Sequence, residues 1–199
     1  MANPPAPMPE HPRTAGAAEG SRFRGQDQAG SFHWPEPPLE VALAEPQIPP
    51  NTGNIARLCA ATQSPLHLVG QLGFRLTDAR LKRAGLDYWP SVRLVRHDTI
   101  REFELSLAGR RAFFLSTRGA VPYASVDFQP GDVLVFGSET GGLPGDLLER
   151  HPGSVLAIPM HTRHVRSLNL ADSVAIVLYE ALRQIDARYS CSGDGSGTR

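Results

Sequence analysis

Short runs of apolar residues alternate with longer segments of helical periodicity between positions 39 and 188. The apolar runs predict strands at 39–44, 66–69, 92–95, 112–116, 133–136 and 155–158. Helical spacing predicts helices at 54–63, 77–84, 100–107 and 144–150, and a long amphipathic helix that begins at Leu170. Strands that are apolar throughout are typical of buried parallel sheets. The alternation therefore predicts an α/β fold, a doubly wound and mostly parallel sheet with helices on both faces.

The two ends of the chain differ in composition from this middle part. Residues 1–38 contain eight of the 18 prolines, with Gly, Ala and Ser between them and no hydrophobic periodicity. Residues 189–199 are rich in Gly and Ser. Segments of this kind bury too little apolar surface to offset the entropy lost on ordering. We therefore expect a disordered extension over 1–38, a folded domain over 39–188 and a disordered tail over 189–199.

Composition excludes several classes of protein and of site. No apolar run approaches the roughly 20 residues that span a bilayer, and no signal-peptide pattern opens the chain, so we expect a cytoplasmic protein without a membrane segment. Cys59 and Cys191 lie far apart, which excludes a disulfide framework and a cysteine zinc site. The motifs for dinucleotides, P-loop phosphates and the nucleophile elbow are absent. His161 and His164 form an HxxH pair with no third ligand nearby, so no metal is expected.

Charge is even over the whole chain but uneven along it. The formal net charge is zero, from 20 basic and 20 acidic residues, which taken alone argues against a nucleic-acid partner. Between positions 75 and 118, however, ten basic residues stand against five acidic ones. A polyanion would be steered to such a patch. Arg80, Lys82 and Arg83 are candidate RNA contacts within it, although a solvated helix face would show the same pattern.

Three junctions rich in glycine and polar residues follow predicted strands. They span 45–57, 136–144 and 158–170. Asn51 or Thr52 is the expected cap of the helix after the first strand, and Asn169 is the expected cap of the last helix. Turns and caps need such residues in any protein. Their shared position at the carboxyl ends of parallel strands, where ligands bind in such sheets, nevertheless favours one common site.

The same junctions carry a resemblance to a known family. PPNTGNIARLC, FGSETGGLP and IPM…RSLNLADSVAIVLYEA resemble, in order and spacing, the three motifs of the SPOUT superfamily of RNA methyltransferases, within its tRNA and rRNA 2′-O-methylating branch. The stretch RLKRAGLDY at 80–88 is similar to the compact bacterial tRNA (cytidine(34)-2′-O)-methyltransferases, which modify the wobble nucleotide of leucine tRNAs. The resemblance covers the whole predicted folded domain. It implies a C-terminal trefoil knot, S-adenosyl-L-methionine as cofactor with S-adenosyl-L-homocysteine as product, tRNA as substrate, and a homodimer.

The resemblance also implies roles for individual residues. The cofactor would be bound at Leu115, Gly137, Glu139, Gly141, Ile158, Ser167 and Leu168. The catalytic residues would be Arg57, Glu139, Ser167 and Asn169. The RNA contacts would be Arg57, Arg80, Lys82, Arg83, Arg166 and Tyr179. Two of these residues also have a purely structural alternative. Asn169 would cap the last helix, and a Tyr on an amphipathic helix, such as Tyr179, is often simply packed.

More specific roles are expected for two of these residues. A guanidinium stays protonated, so Arg57 is expected to bind the phosphate beside the target nucleotide and to stabilise the developing alkoxide, rather than to act as a general base. Glu139 is expected to be a buried organiser that accepts hydrogen bonds from turn amides and is only secondarily catalytic.

Two departures from the wobble-specific enzymes bear on the target. Close relatives often carry Arg or another polar residue where this chain has Gly142. The loop His161–Arg166 is one residue longer than in those enzymes and is rich in His and Arg. Because this loop borders the expected pocket, two alternatives stay open. They are 2′-O-methylation of another tRNA or rRNA site, and a catalytically inactive knotted RNA-binding protein.

Overall fold

The computed structural model describes residues 32–75, 86–161 and 163–192. The strands of this part are β1 (Glu40–Ala44), β2 (Leu66–Val69), β3 (Leu94–His97), β4 (Ala112–Leu115), β5 (Val121–Pro122), β6 (Val133–Phe136) and β7 (Val155–Ala157). The helices are α1 (Pro49–Thr62), α2 (Ile100–Ser106), α3 (Gly145–Arg150) and α4 (Leu170–Ser192). Short 3-10 turns lie at Leu86–Ser91, Tyr123–Ser125 and Pro152–Ser154. No helix within these ranges is long and apolar enough to cross a membrane.

The strands form one sheet in the order β3-β2-β1-β6-β4-β7-β5, and each neighbouring pair is parallel. Successive residues of β1 point to opposite faces, so that Leu43 lies in one core and Ala44 in the other. Helices α1 and α4 cover the first face, and α2 and α3 cover the second. The predicted doubly wound α/β fold is therefore confirmed.

The predicted strands agree with the observed ones where the apolar run is short and sharply bounded. The strands predicted at 66–69 and 133–136 coincide with β2 and β6. The strand predicted at 92–95 is wrong by two residues, because a turn in which the Val92 N–H donates to the Trp89 carbonyl delays the start of β3. The helix predicted at 77–84 lies outside the described residues. Strand β5 has two residues and no periodicity from which it could be predicted.

Strand β7 lies between β4 and β5, although β4 and β5 follow one another in the chain. The segment 116–120 that joins them therefore has to cross β7. The Ser116 N–H donates to the Leu156 carbonyl at 2.9 Å, and a Cβ placed on Gly119 would lie 2.5 Å from the Leu156 carbonyl carbon. Only glycine fits this contact. The trefoil knot implied by the resemblance stays a prediction, and the crossing is the observation that supports it.

Residues 32–38 pack against the last helix. The His33 N–H donates to Asp186 Oδ1 at 2.9 Å, and the His33 ring stacks on Tyr189 with centroids 5.5 Å apart. Phe32 packs on the core that α4 shares with β1. The domain limits predicted at 38/39 and 188/189 stay a prediction, but contacts of the described chain extend beyond both of them.

A polar chain connects β1, β2 and β3. His67 Nε2 lies 2.8 Å from Glu40 Oε2, and His67 Nδ1 lies 2.9 Å from His97 Nε2. Glu40 Oε1 also pairs with Arg110 at 2.8 Å. Burial raises the pKa of Glu40, but the hydrogen bonds from His67 and Arg110 outweigh it and hold this pKa below 4.5. Burial, with the neighbouring His67, lowers the pKa of His97 from its ordinary 6.5.

Candidate active site

A cleft of about 350 Å³ opens at the carboxyl ends of β4, β6 and β7. Its wall comes from the segments that follow these three strands and from the first turn of α4. All seven predicted cofactor-binding residues line it, namely Leu115, Gly137, Glu139, Gly141, Ile158, Ser167 and Leu168. The volume suits a small-molecule site, and the position is the one at which ligands bind in doubly wound sheets. The geometry brings these residues together, and their role in binding stays a prediction.

The loop after β6 is folded tightly on itself at the cleft. Ser138 and Gly142 exchange two backbone hydrogen bonds of 3.2 and 3.0 Å. A Cβ placed on Gly137 would lie 2.0 Å from the Gly142 carbonyl carbon and 2.2 Å from the Leu143 nitrogen. A side chain at 137 would therefore push the two ends of the loop apart, which explains the glycine there by close backbone approach.

The two neighbouring glycines of this loop differ in the side chains that they would tolerate. Gly142 has φ +66°, in the left-handed region that favours glycine, so a larger residue at 142 would be strained. Position 141 has no such restriction, and a Cβ there would meet only Ser138 Oγ, at 3.1 Å. A side chain that reaches the cleft from this loop therefore belongs at 141. This chain has glycine at both positions, so the loop presents no cation.

The Glu139 carboxylate holds the beginning of α1 from a distant part of the sequence. Oε2 accepts the Gln47 N–H at 2.8 Å, and Oε1 accepts the Ile48 N–H at 3.1 Å. Next to it, Thr140 Oγ1 donates to Gln47 Oε1 at 2.7 Å. An anion is favourable at the N-terminus of a helix, where backbone N–H groups lack partners. Glu139 accepts amide hydrogen bonds as predicted, but it is half-buried rather than buried, and the amides belong to another loop.

Helix α1 begins at Pro49, five residues before the predicted start at Asn54. Prolines at 49 and 50 occupy the first two helical positions, where a missing N–H costs nothing. The prediction that Asn51 or Thr52 caps this helix is also wrong, because both lie inside its first turn. Ile48 holds the cap position without a side-chain hydrogen bond, and Glu139 takes over the capping function.

Asn51 bridges the three junctions. Its Nδ2 donates to Glu139 Oε1 at 3.0 Å, and its Oδ1 accepts from Asn169 Nδ2 at 3.1 Å. Asn169 Oδ1 in turn accepts the Ala171 N–H at 2.7 Å, as expected of the cap of α4. Asn51 is buried and is a site residue that the sequence reasoning missed. Its only signal there was a helix-cap residue type in the first motif.

The other predicted site residues lie around the cleft in different ways. Arg166 and Ser167 are exposed on its wall. Arg57 lies on an exposed position of α1 outside the wall. Tyr179 of α4 is 51% exposed, so the packed alternative for it is wrong. The predicted RNA contacts Arg80, Lys82 and Arg83 lie outside the described residues.

Ionisable groups of the described chain do not gather as metal ligands. Within 32–75, 86–161 and 163–192, no three His, Cys, Asp or Glu side chains converge on one point. His161 and His164 are exposed on the loop after β7. Cys59 is buried in the core on the α1 side of the sheet, and burial raises the pKa of its thiol to about 12, so it is not a reactive thiolate.

Known proteins show the same combination of sequence and fold. The profile of the SpoU rRNA Methylase family matches residues 38–179. A tRNA (cytidine(34)-2′-O)-methyltransferase of Methylovorus glucosotrophus (strain SIP3-4) is 49% identical over 149 residues, which are 74% of this chain and 96% of that protein. A solved structure concerned with "the 2-OH methylation of C/U34 on tRNA" is 48% identical, with a TM-score of 0.70 over 73% of this chain and 95% of that one.

A more distant solved structure contains a cofactor. It is an AdoMet-bound rRNA methyltransferase from Sinorhizobium meliloti, 30% identical, with a TM-score of 0.65 over 73% of this chain and 56% of that one. The family profile spans most of the folded domain and includes all three junctions that Asn51 connects. The chain therefore belongs to the SpoU rRNA methylase family, as the methyltransferase motifs of its sequence predict.

Proposed function

We propose that this protein transfers a methyl group from S-adenosyl-L-methionine to the ribose 2′-hydroxyl of the wobble nucleotide, position 34, of tRNA, with leucine tRNAs as its substrates. The observation that carries the proposal is the 49% identity to a tRNA (cytidine(34)-2′-O)-methyltransferase over nearly the full length of that relative. The cleft at the ends of β4, β6 and β7 supports the cofactor part.

The cleft suits S-adenosyl-L-methionine in size and chemistry. Leu115, Ile158 and Leu168 offer apolar surface to the adenine ring and the aliphatic chain. Gly137 lets the loop after β6 fold closely on itself at the cleft, Gly141 adds no side chain to the wall, and Ser167 adds a hydroxyl at the rim. When bound, this cofactor supplies a methyl group on a positively charged sulfur. Transfer from a sulfonium needs no covalent help from the protein, so orientation is the main contribution of these residues.

Arg57 is the proposed catalytic cation. Glu139 fixes the first turn of α1, and Arg57 follows two turns later on the same helix. Its guanidinium would hold the phosphate beside the target nucleotide and stabilise negative charge as the 2′-hydroxyl loses its proton. Asn169 would act mainly by holding Ser167 and the start of α4 in place next to Asn51.

The assembly is proposed to be a cytoplasmic homodimer in which the RNA site is shared between subunits. Helix α4 carries two partly exposed apolar side chains one turn apart, Ile176 at 37% and Tyr179 at 51%. Side chains at this spacing lie on one face of a helix, and a second subunit would cover them. Light scattering of the purified protein measures the dimer directly.

The function is tested by methyl transfer to total tRNA from cells that lack the corresponding gene. We expect ribose methylation at position 34 of leucine tRNAs, mapped by mass spectrometry, and none with Arg57→Ala. Methylation confined to rRNA or to another tRNA position would overturn the wobble assignment. A folded protein that binds RNA but neither binds the cofactor in calorimetry nor transfers a methyl group would be the inactive knotted protein instead.

A further inference from the structure

The charged residues on the cleft wall do not neutralise one another. They are Arg118, Glu139 and Arg166. The Glu139 carboxylate is engaged by N–H donors from Gln47, Ile48 and Asn51. Among the residues that the structure describes, no carboxylate lies within ion-pair distance of Arg118 or Arg166. The wall therefore carries two guanidiniums whose charge no described carboxylate compensates.

Five other arginines of the described chain are paired with carboxylates. The pairs are Arg110–Glu40, Arg111–Asp132, Arg150–Glu104, Arg183–Glu180 and Arg188–Asp127. Surface pairs of this kind add little stability, but they cancel the local potential. Uncompensated cations that line a concave wall instead focus a positive potential there and attract anions. The position of Arg118 and Arg166 on the concave wall therefore marks the cleft mouth as an anion site.

Arg118 projects from a turn that is braced on the sheet. The Arg118 N–H donates to Ser116 Oγ at 3.1 Å, and the Gly119 N–H donates to the Ser116 carbonyl at 3.1 Å. Ser116 itself is hydrogen-bonded to Leu156 of β7. Arg118 Nη1 lies 3.8 Å from where a Cβ on Gly145 would be, so the side chain reaches toward the end of the loop after β6. A backbone fixed in this way loses little entropy when the guanidinium binds a ligand.

The loop after β7 is rich in basic side chains. Residues 158–168 include His161, Arg163, His164 and Arg166 and contain no Asp or Glu. All four of these side chains are exposed. The glycine pair at 141 and 142 contributes no cation, so Arg118 and Arg166 supply the positive charge of the wall.

We propose that Arg118 and Arg166 form an anion clamp at the mouth of the cleft that binds a backbone phosphate of the RNA substrate beside the target nucleotide. The inference rests on the proposed function and adds Arg118 to its RNA contacts. A guanidinium binds phosphate through two parallel hydrogen bonds. The methionine carboxylate of the cofactor is the other anion within reach. Both arginines are exposed at the rim from which a macromolecule approaches, which favours the phosphate.

The test compares Arg118→Gln and Arg166→Gln with Arg150→Gln, an exposed arginine on α3 that lies outside both the cleft wall and the basic patch at 75–118. An unmodified leucine tRNA transcript is titrated at several salt concentrations by fluorescence anisotropy, and S-adenosyl-L-methionine is titrated by calorimetry. We expect each cleft variant to bind the transcript several-fold more weakly. The plot of the logarithm of the RNA association constant against the logarithm of the salt concentration should become less steep by about one. The affinity for the cofactor should stay within about twofold. Arg150→Gln should match the unchanged protein in both titrations.

Each other outcome has a distinct meaning. If a cleft variant loses affinity for the cofactor but keeps its RNA affinity and its salt dependence, the two arginines bind the methionine carboxylate instead. That result would overturn the proposal. If both cleft variants bind RNA as tightly as the parent protein does, and the parent protein methylates tRNA, the clamp is overturned and the proposed function stands. An unchanged protein that methylates no RNA would overturn the proposed function itself. Thermal unfolding of every variant, together with Arg118→Lys, separates lost charge from lost folding.

Discussion

The side chain of Asn51 donates to Glu139 at 3.0 Å while it accepts from Asn169 at 3.1 Å. The three residues belong to the start of α1, the loop after β6 and the cap of α4, so one polar chain joins three segments that are far apart in sequence. Asn51 is 7% exposed, and water cannot readily replace a partner that is lost there. The relative position of the three segments therefore depends on this amide.

Replacement of Asn51 should weaken both folding and cofactor binding. Asn51→Ala removes one of the three N–H donors to Glu139 and the acceptor of Asn169 Nδ2, at a cost of about 1–3 kcal/mol, or several degrees of melting temperature for a chain of this size. Asn51→Asp should be worse, because it places a second carboxylate beside Glu139. Calorimetric unfolding and cofactor titration measure both effects. Asn54→Ala, at an exposed position of the same helix, serves as the control, and equal stability of all three variants would contradict the prediction.

Glu139→Gln separates an organising carboxylate from a catalytic one. A glutamine offers one acceptor oxygen where two are used, and its NH₂ group would face the N–H of Gln47 or Ile48. We expect faster hydrogen exchange at the amides of residues 47 and 48, together with at least tenfold lower methyl transfer. Lost transfer with unchanged amide exchange would indicate that Glu139 acts on the reacting groups directly.

Arg57→Lys tests whether the planar guanidinium is needed. A lysine keeps the charge but cannot make two parallel hydrogen bonds to a phosphate. We expect kcat to fall at least tenfold, or about 1.4 kcal/mol in the barrier, with cofactor affinity unchanged because Arg57 is outside the cleft wall. Single-turnover methyl transfer and calorimetry provide the two measurements. A variant with nearly full activity would exclude a role that depends on the two-pronged donor.

Gly137→Ala should collapse the loop after β6. Its Cβ would lie 2.0 Å from the Gly142 carbonyl carbon, so the loop or the strand has to move, and we expect a loss above about 4 kcal/mol or failure to fold. Gly153→Ala is the matched control, because a Cβ at 153 would meet nothing within 4 Å. It should change the free energy of unfolding by less than about 0.5 kcal/mol. Similar melting temperatures for the two variants would refute the steric argument.

His97 should make the protein less stable in mild acid. Burial lowers its pKa from 6.5, helped by His67 and Arg96 and opposed by Glu102, so the unfolded chain takes up a proton more readily than the folded one. The stabilisation is complete above pH 6.5 and is lost as the pH falls from 6.5 toward the folded pKa. Urea unfolding at pH 5.5 and 7.5 should show the difference, and His97→Asn should reduce it. A free energy of unfolding that rises as the pH is lowered from 7.5 to 5.5 would contradict the prediction.

The sequence predicts well whatever depends on local pattern. The helix stripe that begins at Leu170 is buried throughout on one side, with Val174, Val177 and Leu178 each 0% exposed. The seven cofactor positions meet in one cleft because strand ends of a parallel sheet share an edge, which is a property of the fold class and not of single residues.

What the sequence does not predict is set by pairs that are distant along the chain. The start of α1 depends on Glu139, which is 91 positions from Ile48, and local cap preferences point to Asn51 instead. The role of Gly119 is visible only once β7 is known to lie beneath it. The choice between Gly141 and Gly142 as the open position needs a backbone angle that residue type cannot supply.

Within the part of the chain that the structure describes, β7 is the only neighbour of strand β5 in the sheet. During synthesis, β4, the crossing turn with Arg118, and β5 leave the ribosome before β7 exists, since chains emerge from the N-terminus at about 5–20 residues per second. Until β7 arrives, the crossing turn and β5 have no strand to pair with, although β4 can pair with β6. A chain interrupted before position 155 would therefore keep the segments after β4 and β6 but lack both the strand that braces the crossing turn and the residues after β7 that complete the cleft. Premature release would then yield an inactive chain.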